Sequence, residues 1–302
     1  MAEILVRLQT RTDIDLVQPD ILQLSHAAET TVDYSRNSSV LDQLGIPLKW
    51  STTLGAGIKI AVIDDGFDLA HEDFRQLKTG FSYDLHTQQL NAAPIYAKET
   101  HGTKIAGIIF ADHSDVGISG IAPSAEFIAI RHTDTWTSKT LIGFHLARLA
   151  GADIINASWN SQWLLEPVAD AITELAGRGR DGKGIAVVFA AGNNHMDIQP
   201  FSIEAALEPA IVVGALNRGG FKLPTSNFGN TVDMYVYGGQ MRSTVPDDGY
   251  GNFAGTSLSA AIVSGTAALL LSENPQLTLV QLEEKLLQQK GIVRMPKKGI
   301  EN

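Results

Sequence analysis

Three residues in this chain sit in the local sequence that catalysis by an activated hydroxyl needs: Asp64, His101 and Ser257. Asp64 ends the apolar run IKIAVID and precedes Asp65-Gly66, so a strand runs out there and the chain turns. A carboxylate at such a point is partly buried and held by backbone donors, which lets it orient an imidazole instead of merely neutralising it. Asp65 and Asp68 compete for that role but lie further from the strand end. His101 opens HGTKIAGII, where a helix begins and Gly102 lets neighbouring backbone close in. Ser257, in FAGTSLSAAIVSGTAALLL, falls in the first turn of a helix of small and aliphatic residues. Its backbone N–H is free there and the positive helix end lies beside it. A carboxylate holding one imidazole nitrogen leaves the other to take the serine proton. Two of the three also have an ordinary structural reading: Asp64 as a loop cap or cation ligand, Ser257 as an N-cap.

An oxyanion formed by such a nucleophile needs a donor from another element. Asn193, in AAGNN after a long apolar run, is the candidate. A turn asparagine is the alternative, and pattern alone does not separate it from the adjacent Asn194.

These residues need a scaffold, and from Gly57 onward short apolar runs alternate with helical patterns. IKIAVID, AEFIAIR, IINASW, GIAVVFAAG and AIVVGA read as strands. HGTKIAGIIF, TLIGFHLARLAGA, VADAITELAGRG, LSAAIVSGTAALLL and LTLVQLEEKLLQQ read as helices, and 217–255 as a turn-rich stretch. That alternation predicts an α/β fold of three layers, a mostly parallel central sheet flanked by helices. Sites in such folds gather at the carboxyl ends of the strands, where Asp64 and Asn193 fall. Residues 1–50 read as an N-terminal arm or small element, with ILVRLQ a short strand and PDILQLSHAAET a helix, and 51–302 as the main domain.

The 302 residues are 44% hydrophobic and 19% charged, enough for one large core. A formal charge of −10 and no Lys/Arg cluster argue against a nucleic-acid partner. With no cysteine, a thiolate nucleophile, a disulfide or a Cys-ligated zinc is excluded. None of the 8 histidines sits in H-E-x-x-H, which removes a metallopeptidase reading, and His71, His86, His113, His132, His145 and His195 read as surface or structural. Gly-x-Ser-x-Gly is absent and the order is Asp, His, Ser, which removes an α/β-hydrolase esterase. Apolar stretches are broken well before 18 residues, so no membrane partner is expected. The start MAEILVRLQTRTDIDL lacks the pattern of a signal peptide, so a cytoplasmic location is expected, with a mature secreted form as the competing reading.

The segments AVIDDGFDLAHEDF, HGTKIAG, GISGIAPSAE, INASWN, VVFAAGNN, TSNFG and YGNFAGTSLSAAIVSGTAALLL resemble the subtilisin-like serine peptidases, including the kexin-type convertases, over roughly residues 50–285. The resemblance implies an endopeptidase acting on peptide or protein substrates through an acyl-enzyme. Asp64, His101 and Ser257 would form the triad, Asn193 the oxyanion donor, and no cofactor would serve the chemistry. It also implies that an extended substrate pairs with His132–Thr135 on one side and Ser158–Asn160 on the other. Two departures stand out. The family's Ser-x-Gly segment reads Ser158-Trp159-Asn160 here, where an Asn160 side chain would narrow the primary pocket. Its Met-Ala-x-Pro after the nucleophile reads Leu258-Ser259-Ala260-Ala261. These leave two alternatives open: a catalytically weak peptide-binding relative, and a specialised ligase or cyclase. Many relatives bind calcium, and the resemblance carries that site onto Asp73 and the loop Asp112–Ser119, with Ser114 where the family has asparagine. Oligomeric state is left open.

Overall fold

The structure, a computed structural model, describes residues 37–114, 117–134, 136–159, 163–199 and 207–295. Seven parallel strands form one sheet: β1 (Lys59–Asp64), β2 (Lys78–Asp84), β3 (Glu126–Arg131), β4 (Ile154–Ala157), β5 (Ala186–Ala190), β6 (Ile211–Leu216) and β7 (Met234–Tyr237), in the order β2-β3-β1-β4-β5-β6-β7. A hairpin of β8 (Gln240–Val245) and β9 (Gly249–Ala254) lies outside it.

The helices are α1 (Asn37–Leu44), α2 (Ile46–Trp50), α3 (His101–Phe110), α4 (Thr137–Leu149), α5 (Glu166–Gly182), α6 (Thr256–Glu273) and α7 (Leu279–Leu287). Side chains alternate across a strand, and β1 shows the result: Ile60 and Val62 join one buried cluster with α1, α3, α6 and α7, while Ala61 and Ile63 join the other with α4 and α5. Burial on both faces is why the central strands read as continuous apolar runs. Thr256 through Leu271 are all buried in α6. This helix is long and apolar enough to cross a membrane by composition, yet it is a core helix, 89% buried inside the fold.

The α/β architecture expected from the alternation is the one observed. β2 carries no strand signal in the sequence, being an edge strand that is largely exposed and lacks an apolar run. The stretch 217–255, turn-rich by composition, holds β7, β8 and β9. Those strands are four to six residues long, and the β8–β9 turn places Asp247 and Asp248 at positive φ, which masks the hairpin behind loop-like composition. The expected elements ILVRLQ and PDILQLSHAAET lie outside the described residues. Within 37–50, Val40, Leu41, Leu44 and Ile46 belong to the α3/α6 core cluster.

Candidate active site

Asp64 ends β1 and is 4% exposed. Its Oδ1 lies 2.8 Å from Nδ1 of His101, the first residue of α3, and also accepts the Asp65 N–H at 2.8 Å. The close approach depends on Gly102: a Cβ there would lie 2.4 Å from the Gly66 carbonyl oxygen and 3.1 Å from the Asp64 Cβ. Phe253 of β9 packs edge-on to the imidazole, with centroids 5.5 Å apart. Burial works against a charged imidazole, but the Asp64 charge, its hydrogen bond and the Asp65 charge outweigh that and hold His101 above the usual histidine value. Asp68 turns elsewhere, accepting the N–H groups of Ala70 and Asp247.

Ser257 is the second residue of α6, behind a Gly255 N-cap, so the N-cap reading does not hold. Its hydroxyl donates to the Ser158 carbonyl at 3.1 Å, and the Ser158 hydroxyl donates to the Ser257 carbonyl at 3.3 Å. Ser158 in turn accepts from the fully buried Asn156, whose Oδ1 accepts from Ser264 across the sheet–helix interface. The chain after β4 and the start of α6 are thus tied together by side chains, and Ser259 and Ser264 point away from the Ser257 hydroxyl.

Asn193 follows β5, and its Oδ1 accepts the Thr256 N–H at 3.0 Å. Anchoring the carbonyl end beside Ser257 leaves the amide N–H groups as the donating end. Gly255 permits this, with φ of +91° and space in which a Cβ would meet Asn193 Oδ1 at 2.9 Å. Asn194 is engaged differently: its N–H donates to Asn227 Oδ1. Asn227 is a positioning residue the sequence reading passed over. It also accepts the Met196 N–H and donates to the Ala191 carbonyl, fixing the loop that carries Asn193. TSNFG was the signal available, without a role attached.

Ser158 and Trp159 follow β4, while Thr135 and Asn160 lie outside the described residues, as does the narrowing of the pocket expected at Asn160. The Trp159 indole donates to the Ile63 carbonyl at 2.7 Å and stacks on His132, so it closes the end of the sheet beside Asp64. His132 is buried, and that burial pushes its imidazole down to about 4, so it stays neutral near pH 7.

A buried ion cluster holds the segment that leads into His101. Arg131, at the end of β3 and paired in register with Asp64, is fully buried. It donates to Asp84 at 2.9 Å and to both carboxylate oxygens of Glu99, whose Oε2 also accepts the N–H groups of Ile95 and Tyr96. The segment leading into α3 is thereby clamped. Burial alone would raise Asp84, yet its hydrogen bonds from Thr87 and the His86 and Thr87 backbone, with the Arg131 charge, hold it below the carboxylate range. Arg131→Met strands two buried carboxylates and is expected to destabilise the fold by about 3–5 kcal/mol, read by urea denaturation. An unchanged midpoint would mean the cluster is dispensable.

Asp73 is buried; its Oδ2 accepts the Ile118 N–H, while its Oδ1 has no hydrogen-bond partner among the described residues. Asp112 Oδ2 accepts the Gln76 N–H, and Ser114 adds no charge. Among the described residues no group of three or more His, Asp or Glu could hold a metal ion. Calcium takes 6–8 oxygens, more than Asp73, Asp112 and Ser114 supply by themselves, and residues 115–116 of the same loop lie outside the described residues.

The profile of the Subtilase family matches residues 55–299. Subtilisin NAT from Bacillus subtilis subsp. natto is 30% identical over 238 residues, covering 77% of this chain. A Calcium-dependent protease from Nostoc sp. is 29% identical over 328 residues, covering 91% of this chain. The chain spans 60% of the first and 49% of the second. A solved cold adapted subtilisin-like serine proteinase superposes with a TM-score of 0.65 at 26% identity, covering 77% of this chain and 82% of its own. Sheet order, helical layers and the match across four-fifths of the sequence agree, and the chain belongs to the Subtilase family.

Proposed function

We propose that this chain is a serine endopeptidase that hydrolyses peptide bonds through an acyl-enzyme. The observation that carries the reading is the 2.8 Å contact between Asp64 and His101 Nδ1, because it fixes the tautomer that leaves Nε2 to act as base. Ser257 is the nucleophile. Its hydroxyl rests on the Ser158 carbonyl and must rotate towards His101 to lose its proton, in keeping with catalytic contacts that tighten only once substrate is bound. Attack on the scissile carbonyl gives a tetrahedral oxyanion, held by the Asn193 amide and the Ser257 backbone N–H at the positive end of α6. His101 then passes its proton to the leaving amine, and water, activated the same way, releases the acid. Hydrolysis of an unstructured protein by the full chain, with loss of activity on treatment with a fluorophosphonate, tests the reading. A folded chain that neither hydrolyses nor reacts would overturn it, and product joined to an added amine in place of free acid would point to a ligase.

Calcium enters no step. Relatives carry the name Calcium-dependent protease, but Oδ2 of Asp73 and Oδ2 of Asp112 each accept a backbone N–H, and the same thermal midpoint is expected in calcium and in a chelator. A higher midpoint in calcium would show that other groups complete a site.

A further inference from the structure

We propose that Asp65 is a positioning residue of this site, whose carboxylate fixes the backbone on which His101 enters α3 and supplies part of the negative field in which the imidazole works. The inference rests on the peptidase reading and extends it to a residue outside the triad. Asp65 Oδ2 accepts the His101 N–H at 3.2 Å and Oδ1 accepts the Gly102 N–H at 2.7 Å. These are the first two amides of α3, which its own N-cap residue, Thr100, leaves without a side-chain acceptor. The cap is therefore supplied from the end of β1. Two successive carboxylates divide the work: Asp64 holds the ring of His101, and Asp65 holds its peptide. The Gly66 turn, at φ +136°, lets the chain leave immediately so that both carboxylates face α3.

The charged groups facing this pair are Asp64 on β1 with His101 and Lys104 on α3, while the neighbouring Arg131 is committed to Asp84 and Glu99. Burial, then the Asp64 charge, push Asp65 up to about 6, against the pull of His101 and the two amides. The ionised carboxylate stabilises imidazolium, so its loss must lower the pH at which His101 gives up its proton.

The test uses the full chain and reads the histidine directly. In Asp65→Asn the NMR titration midpoint of His101 should fall by roughly half a unit or more, with the acid limb of kcat/KM moving the same way. Asp65→Ala, which removes both acceptors where Asn keeps one, should lower kcat roughly tenfold or more at little change in KM. In the unaltered protein the Gly102 amide proton should move with a midpoint near 6, a reading that needs no variant. A His101 midpoint unchanged in Asp65→Asn, a Gly102 amide that ignores that titration, or an unchanged kcat in Asp65→Ala would overturn the proposal. The NMR readings stand whether or not peptides are cleaved, so failure of the peptidase reading would be seen separately.

Discussion

Ser257→Ala is expected to abolish both fluorophosphonate labelling and peptide hydrolysis while leaving the fold intact. The hydroxyl makes one donated bond, to the Ser158 carbonyl at 3.1 Å, and the reciprocal bond from Ser158 to the Ser257 backbone survives its removal. Alanine is also the better helix former, and α6 is already rich in it. The structural cost is therefore small, on the order of 1 kcal/mol for a lost hydrogen bond. The chemical cost is loss of the proposed nucleophile. In subtilisin, a relative of this chain, losing that group lowers kcat by about a million-fold, and the same order is expected here. Labelling that persists in Ser257→Ala would move the nucleophile elsewhere. Mass spectrometry of the labelled peptide reads the outcome, and circular dichroism shows that the fold is kept.

Asn193→Ala should lower kcat by roughly 100- to 1,000-fold with KM little changed, the size known for loss of the corresponding donor in subtilisin. Asn193 lies beside Ser257 because its Oδ1 is held by the Thr256 N–H, and its loop by Asn227. A donor placed for the tetrahedral oxyanion contributes little to substrate binding, so kcat should carry the loss. Single-turnover acylation rates check this. An unchanged rate would assign the oxyanion to other donors. A fall in kcat matched by loss of thermal stability would instead show that removing the Thr256 anchor disordered the start of α6.

The parallel core was legible because strands buried on both faces must be apolar throughout. Ile60, Val62, Ala61 and Ile63 carry that signal on their own. β2 and β8 were not legible, since a half-exposed strand is defined by its partner more than by its composition. The site divides in the same way. Asp64, His101 and Ser257 stand out because each lies within two residues of a glycine and beside an apolar element. Arg131, Glu99 and Asp84 are drawn from three separate segments, each an ordinary charged residue on its own.

The sequence by itself determined the chemistry on offer: a carboxylate at a strand end, a histidine and a serine at helix starts, and no thiol. It also determined the layer architecture, because periodicity is a local property of the chain. Tertiary structure decided the division of roles. Asp64 and Asp65 are adjacent and chemically identical, yet one meets the imidazole of His101 and the other its backbone. Asn193 and Asn194 are likewise adjacent, yet Thr256 engages the first and Asn227 the second. Those assignments depend on the directions of side chains leaving a turn and on what α3, α6 and the Asn227 loop bring to meet them. The partners lie tens of residues away in sequence, where local pattern does not reach.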